Sequence, residues 1–250
     1  MTRKLETSRA SFGEKVSSYE KHAFVQSDAA AWLAEWISPL KAKSCLELGA
    51  GTGLLTHYLQ GKFEHFECSD IEPSMVELCR RKFPNVTHRV RDAWAKQPDV
   101  GKWDLVTTSS VLQWANDPKE VMKNWRDLIS SDGRIIAGLF IKPSLPEMFE
   151  VTGGKSPLIW RDASTWKTIF ESAGLKTKRM EDKTVRYSYE SALDFWKSIH
   201  GIGAAVSRKI SPSQMMRFFR NYESKFSDKE GVYATWTFCR VELTARPELG

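Results

Sequence analysis

The sequence is poor in cysteine and has no long hydrophobic run. Its 250 residues contain four cysteines, none of them in a CxxC pair, so their spacing predicts neither a disulfide framework nor a metal site. No apolar stretch approaches the roughly 20 residues that span a bilayer, and the charged N-terminal segment has no apolar core of a secretion signal. These absences predict a cytoplasmic, globular protein without a membrane anchor.

The charge is moderately positive, with a formal net charge of +6. Such a charge admits an acidic partner, either a nucleic acid or an acidic protein, although an ordinary solvated basic surface is the preferred explanation. Most of the positive excess falls in residues 142–250, so a partner is expected to dock there. No appended nucleic-acid-binding module is recognisable, and nucleic acid is not an expected partner.

Residues 44–140 alternate between short apolar runs and amphipathic segments, which is typical of parallel βαβ units. The pattern predicts strands at 44–49, 65–70, 86–93, 104–110 and 133–140, and helices at 52–60, 73–83 and 118–129. Two helices are expected before the first strand, forming a helical cap over 1–40. Within 142–230, a proline-containing loop at 141–157 precedes helices at 162–175, 191–204 and 211–226, with a strand at 176–189. A last strand, in 231–245, is expected to close the sheet.

The strongest local signal is a glycine-rich turn between a strand and a helix. Gly49, Gly51 and Gly53 let the backbone approach a ligand closely, and the helix that follows presents unpaired N–H groups. A dinucleotide-binding turn has this character too, but its GxGxxG spacing differs from the GxGxG found here. The acidic Glu47, two residues before the first glycine, also favours S-adenosylmethionine as the ligand.

Further candidate ligand residues follow the next three strands. Asp70 ends the second strand, where a carboxylate can accept hydrogen bonds from two ribose hydroxyls. Asp92 follows the third and could accept from an adenine amino group, or could instead cap a turn. Since the carboxyl ends of parallel strands meet at one edge, these acids should lie near the glycines. The predicted cofactor-binding residues are Glu47, Gly49, Gly51, Gly53, Asp70, Ile71, Asp92, Ala93, Trp94 and Ser109.

This set resembles the class I methyltransferases. The resemblance implies a Rossmann-like α/β fold: a mostly parallel seven-stranded sheet with helices on both faces, N-terminal helices and a helical lid insertion. It makes 1–250 a single methyltransferase domain with its S-adenosylmethionine-binding core at 44–140, and it makes 142–230 a partly helical lid that contacts the acceptor.

Short segments outside the core resemble one family, the malonyl-acyl carrier protein O-methyltransferases of biotin synthesis (BioC). They are Phe12, Gly13, Tyr19, His22, Ala23 and Gln26, then 112–114, and then Tyr189, 191–195, 201–204, 231–232 and 234–236. The resemblance implies methylation of the free carboxylate of a malonyl thioester carried by an acidic carrier protein.

An anionic acceptor needs a cation or aligned donors to hold it. The acceptor-pocket candidates are Tyr19, His22, Lys142, Arg186 and His200. Arg186 is the preferred one, because a guanidinium matches a carboxylate bidentately. Ordinary surface or core roles remain open for all five. The carrier protein is expected to contact Arg208, Lys209, Arg217 and Arg220, or these form a solvated face.

Three other functions stay open at this point. The first is a methyltransferase for another small free acid or metabolite, since core motifs do not encode the acceptor. The second is a partner protein that binds S-adenosylmethionine without turning it over. The third is a dehydrogenase. The sequence does not show whether the acyl group is attached to a carrier protein or to coenzyme A. It does not show the oligomeric state either.

Overall fold

The computed structural model describes residues 23–97, 101–153, 158–201 and 211–246. Their strands form one mixed sheet with helices on both faces. The predicted Rossmann-like α/β class is confirmed, and none of the helices in these ranges is long and apolar enough to cross a membrane.

The strands lie in the order β3-β2-β1-β4-β5-β8-β6, and a short β7 pairs with β8. The first five strands are parallel, whereas β8 runs antiparallel to both β5 and β6. The predicted seven strands are therefore present, and β7 adds an eighth of two residues. In chain order they are β1 (Ser44–Leu48), β2 (His65–Asp70), β3 (Thr87–Val90), β4 (Trp103–Ser109), β5 (Ile129–Phe140), β6 (Leu175–Tyr189), β7 (Ser227–Asp228) and β8 (Gly231–Ala245).

Eight α-helices are described within these ranges. In chain order they are α1 (Phe24–Ile37), α2 (Thr56–Leu59), α3 (Pro73–Lys82), α4 (Pro118–Arg126), α5 (Pro146–Thr152), α6 (Ala163–Ser172), α7 (Ala192–Gly201) and α8 (Pro212–Phe226). A 3₁₀ turn, Leu112–Trp114, follows β4. The first of the two predicted N-terminal helices lies outside the described residues.

The central strands are apolar on both sides because helices cover both faces. One core layer packs α1 and α2 against the sheet around Leu33, Leu55 and Leu105. The opposite layer packs α4 and α6 around Trp125, Trp166 and Phe170. The carboxyl ends of the parallel strands are left to form the site.

A buried arginine fixes α1 to the antiparallel end of the sheet. The Arg240 guanidinium, on β8, forms ion pairs with Glu35 at 3.0 Å and with Glu181 at 2.8 Å. It also lies 4.1 Å above the ring of Trp32 and 4.4 Å above that of Trp36. This side chain therefore ties α1 to β6 and β8 in addition to the apolar packing.

Two local predictions were wrong. The helix expected at 52–60 begins only at Thr56, because the turn that holds the glycines continues to residue 55. The segment expected as a loop at 141–157 contains helix α5. Its missed signal is Pro146, which lies in the first turn of the helix, where proline loses no hydrogen bond.

The chain after β5 divides between the sheet and a helical layer. Strand β6 pairs with β8 from Leu175 opposite Ala245 to Tyr189 opposite Val232. Helices α5, α7 and α8 pack at the end of these strands around Phe195 and Tyr222. The sequence range 142–230 thus supplies a sheet strand as well as helices, and its role as a lid stays a prediction, as does the cap over 1–40.

Candidate functional site

A pocket opens at the carboxyl ends of β1, β2 and β4, where the sequence predicted a ligand. It collects the glycine turn after β1, the acidic ends of β2 and β3, and the turn after β4. Nineteen residues line it: Gln26, Glu47, Gly49, Ala50, Gly51, Thr52, Leu54, Leu55, Asp70, Ile71, Glu72, Met75, Asp92, Ala93, Trp94, Ser109, Ser110, Val111 and Trp114. Of the ten predicted cofactor residues, nine are in this lining and Gly53 is not.

The glycine turn has the backbone that the sequence predicted. Gly49, Gly51 and Gly53 have φ angles of 70°, 55° and 88°, which side chains rarely adopt. A Cβ on Gly49 would lie 2.5 Å from the Cγ2 atom of Val111, and one on Gly53 would overlap the ring of Phe83. The absence of a side chain at Gly49 thus lets Val111 lie against the glycine turn, whereas its absence at Gly53 lets the turn pack against α3.

Glu47 is a buried carboxyl beneath the glycine turn. Its Oε2 accepts a hydrogen bond of 2.7 Å from the Thr56 hydroxyl, at the start of α2. Burial, opposed by the bond from Thr56 and reinforced by the nearby Asp70, raises the pKa of Glu47 to about 7. Near neutral pH, a cation placed in the pocket would therefore favour the ionised form of Glu47.

The stability of the wild-type protein is expected to fall more steeply with rising pH than that of a Glu47→Gln variant. Because the pKa of Glu47 is higher in the folded chain than the ordinary 4.5, unfolding releases its proton. This contribution to stability is complete below pH 4.5 and is lost as the pH rises through 7. Between pH 5 and pH 8, the wild type should lose about 2 kcal/mol more than the variant.

Urea unfolding at the two pH values measures this difference. Glutamine retains an oxygen that can accept from Thr56 but does not titrate, so the variant is a matched reference. Parallel stability curves for the two proteins would mean that Glu47 is already ionised in the fold.

Asp70 holds the turns on both sides of the pocket. Its Oδ2 accepts from the backbone N–H of Gly51 at 2.9 Å, and its Oδ1 accepts from that of Glu72 at 2.9 Å. Burial raises the pKa of Asp70, and these two bonds oppose the rise. Each carboxylate oxygen has a second lone pair, so Asp70 can still accept hydrogen bonds from a ligand.

The segment after β3 is held from two sides. Asp92 Oδ1 accepts from the backbone N–H of Trp94 at 3.0 Å, so the turn role considered for Asp92 is present. Behind it, the Trp125 indole donates to the carbonyl of Ala93 at 2.6 Å, and the Asn124 amide donates to that of Trp94 at 2.9 Å. These contacts fix the acid and the aromatic ring at the pocket wall.

The end of β4 carries a strained residue. Ser110 has a φ of 62°, unusual outside glycine, and its N–H donates to the carbonyl of Gly138 on β5 at 2.8 Å. The Gln113 amide donates to the Ser110 carbonyl at 2.8 Å. The conformation turns the chain sharply at the sheet edge, and Ser109, Ser110 and Val111 all reach the pocket.

Several buried polar atoms in the pocket lining have no hydrogen-bond partner among the described residues. They are Gln26 Oε1, Thr52 Oγ1, Trp94 Nε1 and Ser110 Oγ. A buried polar group without a partner costs about 1–3 kcal/mol, so such a cluster indicates that a polar ligand completes the site. Donors and acceptors are both present, which suits a ligand with amino, carboxyl and hydroxyl groups.

Gln26 is the main pocket residue that the motif analysis did not assign. It is buried on α1 beside Val25 and Ala29, within an otherwise apolar helix face. A lone amide in such a face is a detectable signal, because burying it without a partner is costly. Thr52, Leu54 and Met75 were also not assigned, and apolar residues such as Leu54 and Met75 are indistinguishable from core residues in a single sequence.

The predicted acceptor residues do not converge on this pocket. Arg186 is exposed on β6, with its guanidinium 4.0 Å above the ring of Tyr233. Lys142 is exposed after β5, and the Nδ1 of His200 lies 2.9 Å from the carbonyl oxygen of Trp196. None of the three is in the lining. Tyr19 and His22 lie outside the described residues.

A second pair of buried polar groups lies outside the pocket lining. The hydroxyl of Tyr189, near the end of β6, and the indole N–H of Trp236, on β8, form no hydrogen bond of normal geometry with a described residue. Burial raises the pKa of Tyr189 to about 12, partly offset by Trp236 and Ser198. Both rings share a core cluster with Val25, the neighbour of Gln26 on α1.

Comparison with known proteins gives a family match and full-length relatives. A family model described as a methyltransferase domain matches residues 46–135. A malonyl-[acyl-carrier protein] O-methyltransferase of Paenibacillus sp. (strain JDR-2) is 25% identical, and the alignment covers 90% of this chain and 92% of the relative. The protein of the same name from Hahella chejuensis (strain KCTC 2396) is 28% identical, covering 90% and 85%.

The fold has solved counterparts. The crystal structure of the YcgJ protein from Bacillus subtilis superposes with a TM-score of 0.64 at 13% identity, covering 88% of this chain and 99% of that chain. The sequence relatives therefore match well beyond the 46–135 segment, and the structural match extends over the same breadth.

Proposed function

Since this chain is a class I S-adenosylmethionine-dependent methyltransferase, similar over most of its length to malonyl-[acyl-carrier protein] O-methyltransferases, we propose that it methylates the free carboxylate of malonyl-acyl carrier protein. The observation that carries the proposal is the breadth of this similarity, which includes the helices and strands after β5. Methyltransferases differ there in acceptor, because their cofactor-binding cores are shared. The product would be a methyl ester that enters pimeloyl and biotin synthesis.

The reaction needs little acid–base chemistry from the protein. S-adenosylmethionine supplies an electrophilic methyl group; the carboxylate oxygen forms the new bond, the carbon–sulfur bond breaks, and its electron pair stays on the sulfur of S-adenosylhomocysteine. A carboxylate is ionised at neutral pH, so no general base is required. The task of the residues is to hold the two reactants in line and to exclude water.

The pocket described above fits the cofactor. Asp70 would accept from the ribose hydroxyls while it holds the glycine turn, and Asp92 would stand at the adenine side next to Ala93 and Trp94. The atoms without partners on Gln26 and Thr52 support a polar ligand at this place. Glu47, which acts beneath the turn through Thr56, would favour a cationic ligand when ionised.

We place the acceptor group against Tyr189 and Trp236 rather than against Arg186. The two neutral donors lie in the core cluster that contains Val25, the neighbour of Gln26 on α1. The ring of Phe140 lies 5.0 Å from that of Trp236. Phe140 is two residues after Gly138, whose carbonyl accepts from the N–H of Ser110 in the pocket wall. Arg186 is three residues before Tyr189 and therefore faces the opposite side of the strand. A phenol hydroxyl and an indole N–H are both donors suited to a carboxylate, since a hydrogen bond to a charged group contributes about 1.5–3 kcal/mol.

Tyr189→Phe is expected to lower kcat/KM for the acceptor about 10- to 100-fold while the Kd of S-adenosylmethionine stays unchanged. Arg186→Ala should stay within about twofold of the wild type, because its side chain stacks on Tyr233 at the surface. Steady-state kinetics with the acceptor varied measure both. The control is Tyr222→Phe, which removes a buried hydroxyl that donates to the carbonyl of Tyr233. A large loss of kcat/KM with Arg186→Ala and none with Tyr189→Phe would mean that Arg186, as the sequence predicted, binds the carboxylate.

The carrier protein would approach the basic C-terminal region. Arg217 and Arg220 are exposed and three residues apart on α8, in keeping with contact to an acidic surface. Arg208 and Lys209, the other two predicted contacts, lie outside the described residues.

The deciding experiment is transfer of labelled methyl from S-adenosylmethionine to malonyl-acyl carrier protein, with malonyl-coenzyme A and free dicarboxylic acids as parallel acceptors. A base-labile methyl ester on the carrier-bound malonyl group is expected. Label only on a free acid would move the function to a small-molecule methyltransferase. Stabilisation by S-adenosylmethionine with no methylated product in any arm would favour a partner protein that binds the cofactor without turnover.

A further inference from the structure

Three potential metal ligands converge at the edge of the sheet, outside the pocket lining. Cys68 lies on β2, Cys79 on α3 and His88 on β3, and one ligand atom from each lies within 4.8 Å of the other two. Their exposed fractions are 2%, 1% and 8%, so all three are buried. Methyl transfer to a carboxylate does not use any of them.

The sulfur atoms of Cys68 and Cys79 are 3.8 Å apart. Two thiolates bound at 2.3 Å to one tetrahedral zinc ion are separated by about 3.8 Å, so both sulfurs could bind one ion without moving. A disulfide would require them to approach to about 2.05 Å. Two thiols packed in a core also reach this separation, so the third residue is decisive.

His88 provides the independent observation. Its Nε2 is buried and has no hydrogen-bond partner among the described residues. The neutral form of an imidazole ring ligates metals through such a nitrogen.

The charge balance favours a divalent cation. A dication would compensate two thiolates fully, and its binding would release their protons. Two sulfurs and one imidazole nitrogen are typical of zinc sites rather than of calcium or magnesium sites.

We propose that Cys68, Cys79 and His88 bind a zinc-class ion that links β2, α3 and β3. The Thr56 hydroxyl, which donates to Glu47, lies 3.8 Å from the Cys79 sulfur. The ion would brace the pocket edge, because Cys68 precedes Asp70 by two residues and Cys79 is one helical turn after Met75. The cysteine spacing along the chain predicted no metal site, since the three ligands come from separate elements.

The test is titration of the full-length, reduced and chelator-treated protein with Co²⁺, followed by competition with Zn²⁺. One ion per chain is expected, with thiolate-to-cobalt charge transfer and the intense visible bands of tetrahedral cobalt. Cys68→Ser, Cys79→Ser and His88→Gln should each weaken binding by more than the roughly 10- to 100-fold lost with a mere supporting residue. Cys45→Ser and Cys239→Ser are matched controls, because both thiols are buried and free elsewhere in the fold.

His88→Gln keeps both thiols in place, and S-adenosylmethionine binding reports whether each variant folds. A reduced protein that takes up no cobalt, or binds it equally well in the folded His88→Gln variant, would overturn the proposal. So would equal loss of binding in the Cys45→Ser control. These outcomes are independent of the acceptor, so they leave the proposed methyl transfer untouched.

Discussion

Asp70→Ala is expected to weaken S-adenosylmethionine binding at least about 100-fold. The ribose would lose a charged acceptor for two hydroxyls, at about 1.5–3 kcal/mol for each bond to a charged group. The N–H groups of Gly51 and Glu72 would lose the carboxylate that joins their turns, at 2.9 Å each. The cofactor thus loses direct contacts and the conformation of the loop that holds it.

Isothermal titration calorimetry with S-adenosylmethionine measures this effect. The control is Asp162→Ala, because Asp162 also accepts a backbone N–H, that of Thr165, but does so at the start of α6 away from the pocket. Its loss removes a helix cap but should leave the cofactor Kd unchanged. A wild-type Kd in the Asp70 variant would mean that the ribose does not bind at this end of β2.

Gly49→Ala is expected to lower the free energy of unfolding by about 3 kcal/mol and to weaken cofactor binding in parallel. A left-handed alanine costs about 1–2 kcal/mol, and overpacking against Val111 adds about 1–3 kcal/mol. Urea unfolding and cofactor titration of the same variant give the two values.

Gly61→Ala separates the two causes. Gly61 has a φ of 74°, but a Cβ there would meet nothing within 4 Å, so only the backbone cost remains. The double variant Gly49→Ala with Val111→Ala should recover part of the cofactor affinity, since it removes the clash but not the strain. If Gly49→Ala and Gly61→Ala lose equal stability, contact with Val111 is not the cause.

Most of the fold could be predicted because its elements repeat a simple pattern. Strands β1 and β4 contain short apolar runs that are each followed by turn residues, and β6 and β8 are long alternating or apolar segments with clear ends. The two failures were a helix whose start was delayed by a glycine turn and a short helix hidden behind prolines. In both, backbone conformation overrode the apparent pattern.

The residues on the cofactor side of the pocket could be predicted from their positions along the chain. Glu47, the glycines, Asp70 and Asp92 all follow strands of one parallel sheet, and the carboxyl ends of such strands meet at a single edge. Knowledge of the strand order was not needed to expect them together.

Which side chains from distant elements meet depends on the tertiary structure. It turned Gln26 into the pocket, buried the face of β6 that carries Tyr189 while leaving Arg186 exposed, and brought Cys68, Cys79 and His88 to one place. The physical reason is register: a shift of one residue in a strand exchanges its two faces, and no local pattern on a solvent-exposed strand encodes that choice. Convergence of ligands from separate elements likewise depends on how the layers pack, which is a property of the whole chain.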